Sequence, residues 1–412
     1  MKRLGKVLLT LVLCVCCAFG FVACDNLSAT TTSTEGVGSN GGVALKYDGY
    51  LYFVNGLKKN EAGANVTGKV EQGGIYKAKL DSNGNVSVDS DGKPTNVSQV
   101  VSNIVGFDNG SIHIIGDFLY YATPNNGKNS KAVTLNYQTC FMRLDLKTGA
   151  TQKLFTTSQN SDSETIDYAY YKMGNELYLL VYEKSITTLT SIKIGNAITK
   201  KVIADNAQSV LFSENYGEIG VASRESSAET FVYFTRSAET SGAVRTGVRV
   251  YKVLPNGSSE RMISEGKSIS LLTIKSDKLV YSFNSRIFAQ KISSAEDTLS
   301  CASGDVISEG TYNNIVFVES GDNIGIIYYD SNTIRYIEFV GGVLADPNTA
   351  QNRQLYTFSS NVSISFLTTD ADYVYYLYAG IIYKIRYTYD SSIIVTQEQL
   401  TSTSCESASG NM

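Results

Sequence analysis

Apolar and polar positions along this chain keep a short rhythm. Runs of five to eight residues rich in Val, Ile, Leu, Tyr and Phe alternate with Gly, Asp, Asn and Ser clusters. Beyond the first two dozen residues, no window shows a 3.6-residue apolar stripe, so the runs read as strands. In Leu177-Tyr-Leu-Leu-Val-Tyr182 one face carries Leu177, Leu179 and Val181, and the other Tyr178, Leu180 and Tyr182. Both faces are apolar, which predicts a strand covered on both sides.

One pattern recurs. A branched aliphatic residue followed by Tyr appears at Leu51-Tyr52, Leu119-Tyr120, Leu177-Tyr178, Val232-Tyr233, Val280-Tyr281, Ile327-Tyr328 and Val374-Tyr375. Most instances follow a turn signal: Asp48-Gly49, Gly116-Asp117, Gly174-Asn175, Ser276-Asp277, Gly321-Asp322 or Asp370. Each leads to a second short strand: Ile75-Tyr76-Lys77, Phe141-Met142-Arg143, Ser191-Ile192-Lys193, Val250-Tyr251-Lys252, Ile287-Phe288-Ala289, Arg335-Tyr336-Ile337 or Ile382-Tyr383-Lys384. The unit is a hairpin used seven times, with room between hairpins for two more strands. Four strands in about 50 residues is the arithmetic of a propeller blade. The fold class is therefore all-β, a β-propeller of seven blades with four antiparallel strands each. Six or eight blades, a sandwich and a solenoid are the alternatives.

The motif Gly116-Asp-Phe-Leu-Tyr-Tyr121, followed by strands of the Ile-Tyr-Lys type, resembles that of uncharacterised bacterial propellers found on lipoproteins. These are distantly similar to the propellers of low-density-lipoprotein receptors. Receptor propellers carry Trp in their repeat and this chain has no Trp. The resemblance therefore implies an architecture and carries no ligand across.

The chain opens with Lys2, Arg3 and Lys6, then an apolar run from Val7 to Ala23. A positive start and a short apolar stretch read as a signal peptide. The run ends Phe21-Val22-Ala23-Cys24, which resembles the lipobox of bacterial lipoproteins, with Phe21 where Leu is usual. The resemblance implies cleavage before Cys24 and lipid on its sulfur. Residues 26–42 are dominated by Ser, Thr and Gly and hold almost no apolar bulk, so they read as a flexible spacer. The expected organisation is a signal peptide over 1–23, lipidated Cys24 with its tether over 24–44, a propeller over 45–402 and a disordered tail over 403–412. The expected location is outside the cytoplasm, anchored by lipid to a membrane.

Charge and cysteines narrow the classes. Removing Lys2, Arg3 and Lys6 leaves 32 basic against 39 acidic residues, a net charge of −7 that argues against a nucleic-acid partner. Of seven cysteines, only Cys140, Cys301 and Cys405 fall in the expected mature body. Three cannot all pair within one chain, so no disulfide framework is predicted. A Cys301–Cys405 bridge remains open.

The hairpins are unequal. The last three are tight, and the first four carry insertions over 56–72, 123–139, 183–190 and 236–247. In a propeller all four emerge on one face, and long loops on one face of a repeat array mark a binding face. Their charges sum to +4 from +1, +2, 0 and +1. Lys58, Lys59, Lys69, Lys128, Lys131, Arg236 and Arg245 form the candidate rim, suited to an acidic protein or anionic polymer. Four solvated loops without function would show the same pattern.

No catalytic signature appears. The single histidine, His113, alternates with Ile112 and Ile114 and reads as a packed strand residue. One histidine cannot build a multi-histidine metal site. There is no Gly-x-Ser-x-Gly elbow and no phosphate loop. Asp81-Ser-Asn83-Gly-Asn85 and Asp89-Ser-Asp91-Gly92 alternate oxygen ligands, but Val86 and Gly92 break the calcium-loop pattern, so they read as turns. No cofactor and no metal are expected. The expected function is a membrane-tethered binding or scaffold protein whose partner is a protein or cell-envelope polymer. The alternative is a polysaccharide hydrolase or lyase using paired carboxylates in the channel.

Overall fold

The computed structural model describes residues 44–54, 74–82, 84, 86–87, 89–90, 96–103, 112–131, 134–161, 163–213, 230–237, 247–275, 277–292, 298–300, 305–310, 312, 314–369, 372–379, 381–389 and 397–399. The expected signal peptide, Cys24, the tether up to residue 43 and the tail lie outside them, as do Cys301 and Cys405.

The described strands form seven antiparallel sheets, each built from consecutive strands in chain order. Blade 1 holds β1 (Ala44–Tyr47), β2 (Tyr50–Val54), β3 (Ile75–Lys79) and β4 (Val97–Val101). Blade 2 holds β5 (His113–Ile115), β6 (Phe118–Pro124), β7 (Thr139–Asp145) and β8 (Thr151–Thr156). Blade 3 holds β9 (Ile166–Met173), β10 (Glu176–Glu183), β11 (Thr188–Ile194) and β12 (Thr199–Ala204). Blade 4 holds β13 (Ser209–Leu211), β14 (Val232–Ser237), β15 (Val248–Val253) and β16 (Arg261–Lys267). Blade 5 holds β17 (Ser270–Lys275), β18 (Lys278–Phe283), β19 (Arg286–Lys291) and β20 (Val306–Ser308). Blade 6 holds β21 (Ile315–Ser320), β22 (Asn323–Asp330), β23 (Thr333–Val340) and β25 (Asn352–Thr357), with a short extra strand β24 (Val343–Leu344) on the end of β23. Blade 7 holds β26 (Ile364–Thr369), β27 (Tyr373–Tyr378), β28 (Ile381–Arg386) and β29 (Glu398–Gln399). The chain is a seven-bladed β-propeller.

The repeated hairpin of the sequence is the second and third strand of every blade. First strands of successive blades touch one another, β13 with β17, β17 with β21 and β21 with β26, so the first strands converge on the axis. Two faces follow from this connectivity. The first–second turns and third–fourth connections lie at one end of the strands. The second–third connections lie at the other.

Turn chemistry explains the tight hairpins. Asp48 and Gly49 both take positive φ, 48° and 73°, as a two-residue turn between right-twisted strands requires. Asn284 and Ser285 do the same between β18 and β19, at 51° and 60°. Asp and Asn tolerate this region because their short polar side chains bond locally.

The core lies between blades. All six residues from Leu177 to Tyr182 are buried. Leu177, Leu179 and Val181 pack on Tyr120 and Phe141 of blade 2. Tyr178, Leu180 and Tyr182 pack on Val232, Phe234 and Val253 of blade 4. Similar clusters join blades 1 and 2, blades 4 to 6, and blades 6 and 7. Each fully buried Leu, Val or Ile contributes about 1.5–3 kcal/mol, so the two-sided strand is a main source of cohesion.

His113 is a packed residue. It is 2% exposed, and its ring centroid lies 4.7 Å from that of Tyr170 in blade 3. Cys140 is a free, buried thiol. Around Asp81, Gly84 sits at φ +77° and donates to the Asp81 carbonyl at 3.1 Å, under a Leu80–Val86 bridge. That run is a turn. Asn83, Asn85 and Asp91 lie outside the described residues.

Candidate functional site

Of the long second–third connections, that of blade 2 lies mostly within the described residues. In blade 2 the strands run on to Pro124 and begin again at Thr139, leaving 125–138 as the loop. Its described part is built rather than loose. Asn125 Nδ2 donates to Gln138 Oε1 at 2.8 Å, Leu135 N donates to the Gly127 carbonyl at 2.9 Å, and a bridge pairs Lys128 with Thr134. Asn129 Oδ1 accepts from Lys131 N at 2.9 Å. Lys128 and Lys131 are exposed, and among the described residues neither ammonium forms an ion pair.

In blade 3 the expected insertion over 183–190 is shorter. β10 and β11 stay paired through Glu183 and Thr188, and a single 3-10 turn, Lys184–Ile186, closes them on Thr187 at φ 53°. Below that turn lies a buried polar knot that the sequence did not signal. Glu183 is 4% exposed, and its Oε2 accepts from Ser158 N at 2.5 Å and Ser158 Oγ at 2.8 Å. Buried Gln159 Oε1 accepts from Thr139 Oγ1 and Thr157 Oγ1 at 3.0 and 2.8 Å. These bonds tie the connection between blades 2 and 3 to the end of β10.

Arg236 belongs to β14 rather than to a loop. Its guanidinium lies 4.8 Å from the Phe234 and Tyr251 ring centroids. It donates to the Asp205 carbonyl at 2.9 Å, to Asp205 Oδ1 at 3.2 Å and to Glu260 Oε1 at 2.7 Å. Two carboxylates neutralise its charge, so it clasps blades 3 and 4. Lys58, Lys59, Lys69 and Arg245 lie outside the described residues.

A second feature sits on the opposite face, between blades 6 and 7. A cleft of about 300 Å³ is lined by Glu319, Ser320, Tyr336, Glu338, Arg353 and Tyr389, among others. Strand alternation sets Tyr336 and Glu338 side by side on the blade 7 face of β23. Glu338 is buried, and its Oε2 accepts from Tyr336 Oη at 3.2 Å and Ser320 Oγ at 3.3 Å. Burial pushes the Tyr336 hydroxyl up to about 12. Gly325 on β22 makes room for this ring, since a Cβ there would lie 2.5 Å from Tyr336 Cε2. Arg353, at the start of β25, lies 4.4 Å over the Tyr336 ring and 5.4 Å from that of Tyr389. Its Nη2 donates to the Tyr387 carbonyl, and its buried Nη1 has no partner among the described residues. Burial pulls its pKa below the ordinary arginine value, with Tyr336 and Glu338 opposing the shift. The sequence pattern marked none of these residues as a site, because their grouping depends on contacts between blades.

Among the described residues no group of three or more His, Cys, Asp or Glu is placed to hold a metal, and no helix is long and apolar enough to cross a membrane. The buried carboxylates Glu183 and Glu338 stand in different blades.

No family model matches the chain, and no curated protein matches its sequence. Solved structures do. The β-propeller domain of the Trilobed protease from Pyrococcus furiosus is similar over 81% of this chain and 93% of its own, at 7% identity and a TM-score of 0.36. An uncharacterised protein from Listeria monocytogenes is similar over 69% of this chain and 79% of its own, at 14% identity and a TM-score of 0.34. Hsv2 from Kluyveromyces lactis is similar over 80% of this chain and 92% of its own, at 10% identity and a TM-score of 0.39.

Proposed function

We propose that this protein is a binding or scaffold propeller, held to a membrane outside the cytoplasm by lipid on Cys24, whose second–third connections engage an acidic protein or anionic envelope polymer. The observation that carries the reading is the asymmetry of that face. Blades 5 and 6 close it with two-residue turns, whereas blade 2 raises a hydrogen-bonded loop with Lys128 and Lys131 exposed. A rigid scaffold that presents loops at one end suits recognition, because the loops vary while the blades hold their positions. The residue 26–42 spacer would hold the ring clear of the bilayer.

The test is a melting-temperature titration of the full-length protein in detergent with anionic envelope polymers. A ligand that binds only the folded state raises the midpoint by mass action. Wild type is expected to show a saturable rise, and the K128E/K131E double variant to lose it while keeping its ligand-free midpoint. Equal shifts in both proteins would refute the role of this face.

A further inference from the structure

The repeat supplies its own control on how tightly each junction between blades is packed. In the Leu-Tyr-type pair of the second strand, the aliphatic residue packs on the preceding blade: Leu119 on blade 1, Leu177 on blade 2, Val232 on blade 3 and Val374 on blade 6. The tyrosine packs on the following blade: Tyr52 on blade 2, Tyr120 on blade 3 and Tyr178 on blade 4. These residues, with Val280, Tyr233 and Tyr281, are at most 4% exposed. Blade 6 gives the same two roles to Ile326 and Ile327, toward blades 5 and 7, and both are fully buried.

Two copies break the pattern. Leu51 of blade 1 and Tyr375 of blade 7 are only half-buried. Strand alternation turns Leu51 away from blade 2 and Tyr375 away from blade 6, so each is directed at the other's blade around the ring. Phe53 and Leu377, on the same two faces, are half-buried as well. Opposite them on β3, Tyr76 and Ala78 remain buried, so the shortfall is in the second strands. On the other faces of those strands Tyr52, Val374 and Tyr376 are buried. The deficit belongs to one junction, and not to the end blades as a whole.

The same junction lacks other ties. Each blade completes its sheet from consecutive strands, so among the described residues no strand is shared between blades 7 and 1. The chain itself runs across every other junction between neighbouring blades, but not across this one. The buried apolar clusters join blades 1 and 2, 2 and 3, 3 and 4, 4 to 6, and 6 and 7; none of them, among the described residues, spans blades 7 and 1. Stabilisation by burial scales with the apolar area removed from water, so a junction that leaves its facing side chains half-wet gains less from staying shut. Regions with few buried apolar contacts are the ones that open locally.

We propose that blades 1 and 7 part reversibly at this seam, so that the ring opens sideways toward its axis while the other junctions stay closed. This device does not depend on the ligand of the loop face.

The test is thiol labelling of the detergent-solubilised full-length protein, read peptide by peptide by mass spectrometry so that each cysteine reports separately. Leu51→Cys and Tyr375→Cys, in separate proteins, place a thiol on either side of the seam. N-ethylmaleimide is the small reagent and fluorescein maleimide the bulky one. Cys140, free and buried in blade 2, is the internal control in every sample. A half-buried thiol in a seam that stays shut accepts the small reagent and excludes the bulky one, whereas a seam that opens accepts both. Both seam thiols are expected to react with fluorescein maleimide at least roughly tenfold faster than Cys140, as local opening requires. Adding Leu377→Ala on blade 7 should speed labelling of the Leu51→Cys protein on blade 1, which fraying of blade 1 alone would not do. Exclusion of the bulky reagent from both seam thiols, labelling of Cys140 at the same rate as the seam, or no response to Leu377→Ala would each overturn the proposal.

Discussion

Replacing His113 with leucine should change how the protein's stability depends on pH. His113 is the only histidine in the 412 residues, so no other imidazole confuses the measurement. In the fold it is 2% exposed against Tyr170, and burial pushes its pKa down to about 3. In the unfolded chain it titrates near 6.5. Above that pH the ring is neutral in both states and titration adds nothing. As pH falls below 6.5 the unfolded chain gains a proton that the folded chain refuses until about 3, so stability is lost across that window. The slope for one proton is about 1.4 kcal/mol per pH unit, which gives a loss of about 2 kcal/mol by pH 5. The leucine variant has no proton to take up there, and the carboxylates that titrate in the same range are common to both proteins. Urea unfolding of wild type and His113→Leu from pH 8 to pH 4.5 isolates the effect as a difference. That difference should be flat above pH 7 and should then shift toward the variant by the stated slope. Curves that stay parallel down to pH 4.5 would refute the reasoning, because they would mean that His113 takes up its proton in the fold as readily as in the unfolded chain.

Substitutions at two further positions test how blades are held together. Gly257 sits at φ +76°, and a Cβ there would lie 2.5 Å from Ile203 Cγ2 of blade 3, where the neighbouring Pro255 carbonyl accepts from Ser191 Oγ at 2.6 Å. Gly257→Ala combines backbone strain with overpacking and should destabilise by about 2–4 kcal/mol, read as a lower urea midpoint. Glu183→Ala leaves the Ser158 donors without their carboxylate and should cost about 1–3 kcal/mol, whereas Glu183→Gln keeps an acceptor and should cost less. Equal loss in the two Glu183 variants would show that the carboxylate charge matters more than the bond.

The all-β class, the repeat and the place of each hairpin were legible in the sequence. Period-two alternation and turn chemistry are local, so Leu177–Tyr182 announces a two-sided strand and Asp48-Gly49 a tight turn wherever they lie in space. The seven Leu-Tyr-type runs fell on the same strand of every blade for that reason. The chemistry of the faces was not legible, because it depends on contacts that cross blades. Arg236 counts as a free cation in the sequence, but it meets Asp205, 31 residues away, and Glu260, 24 residues away. The apparent insertion after Tyr182 dissolved because cross-strand pairing carried β10 and β11 further than their apolar cores suggest. The blade 6–7 cleft exists only because the ring lays Tyr387 beside Arg353, 34 residues apart in the chain. Local patterns decide which segments become strands. Which polar groups are satisfied is decided only when neighbouring blades desolvate them together.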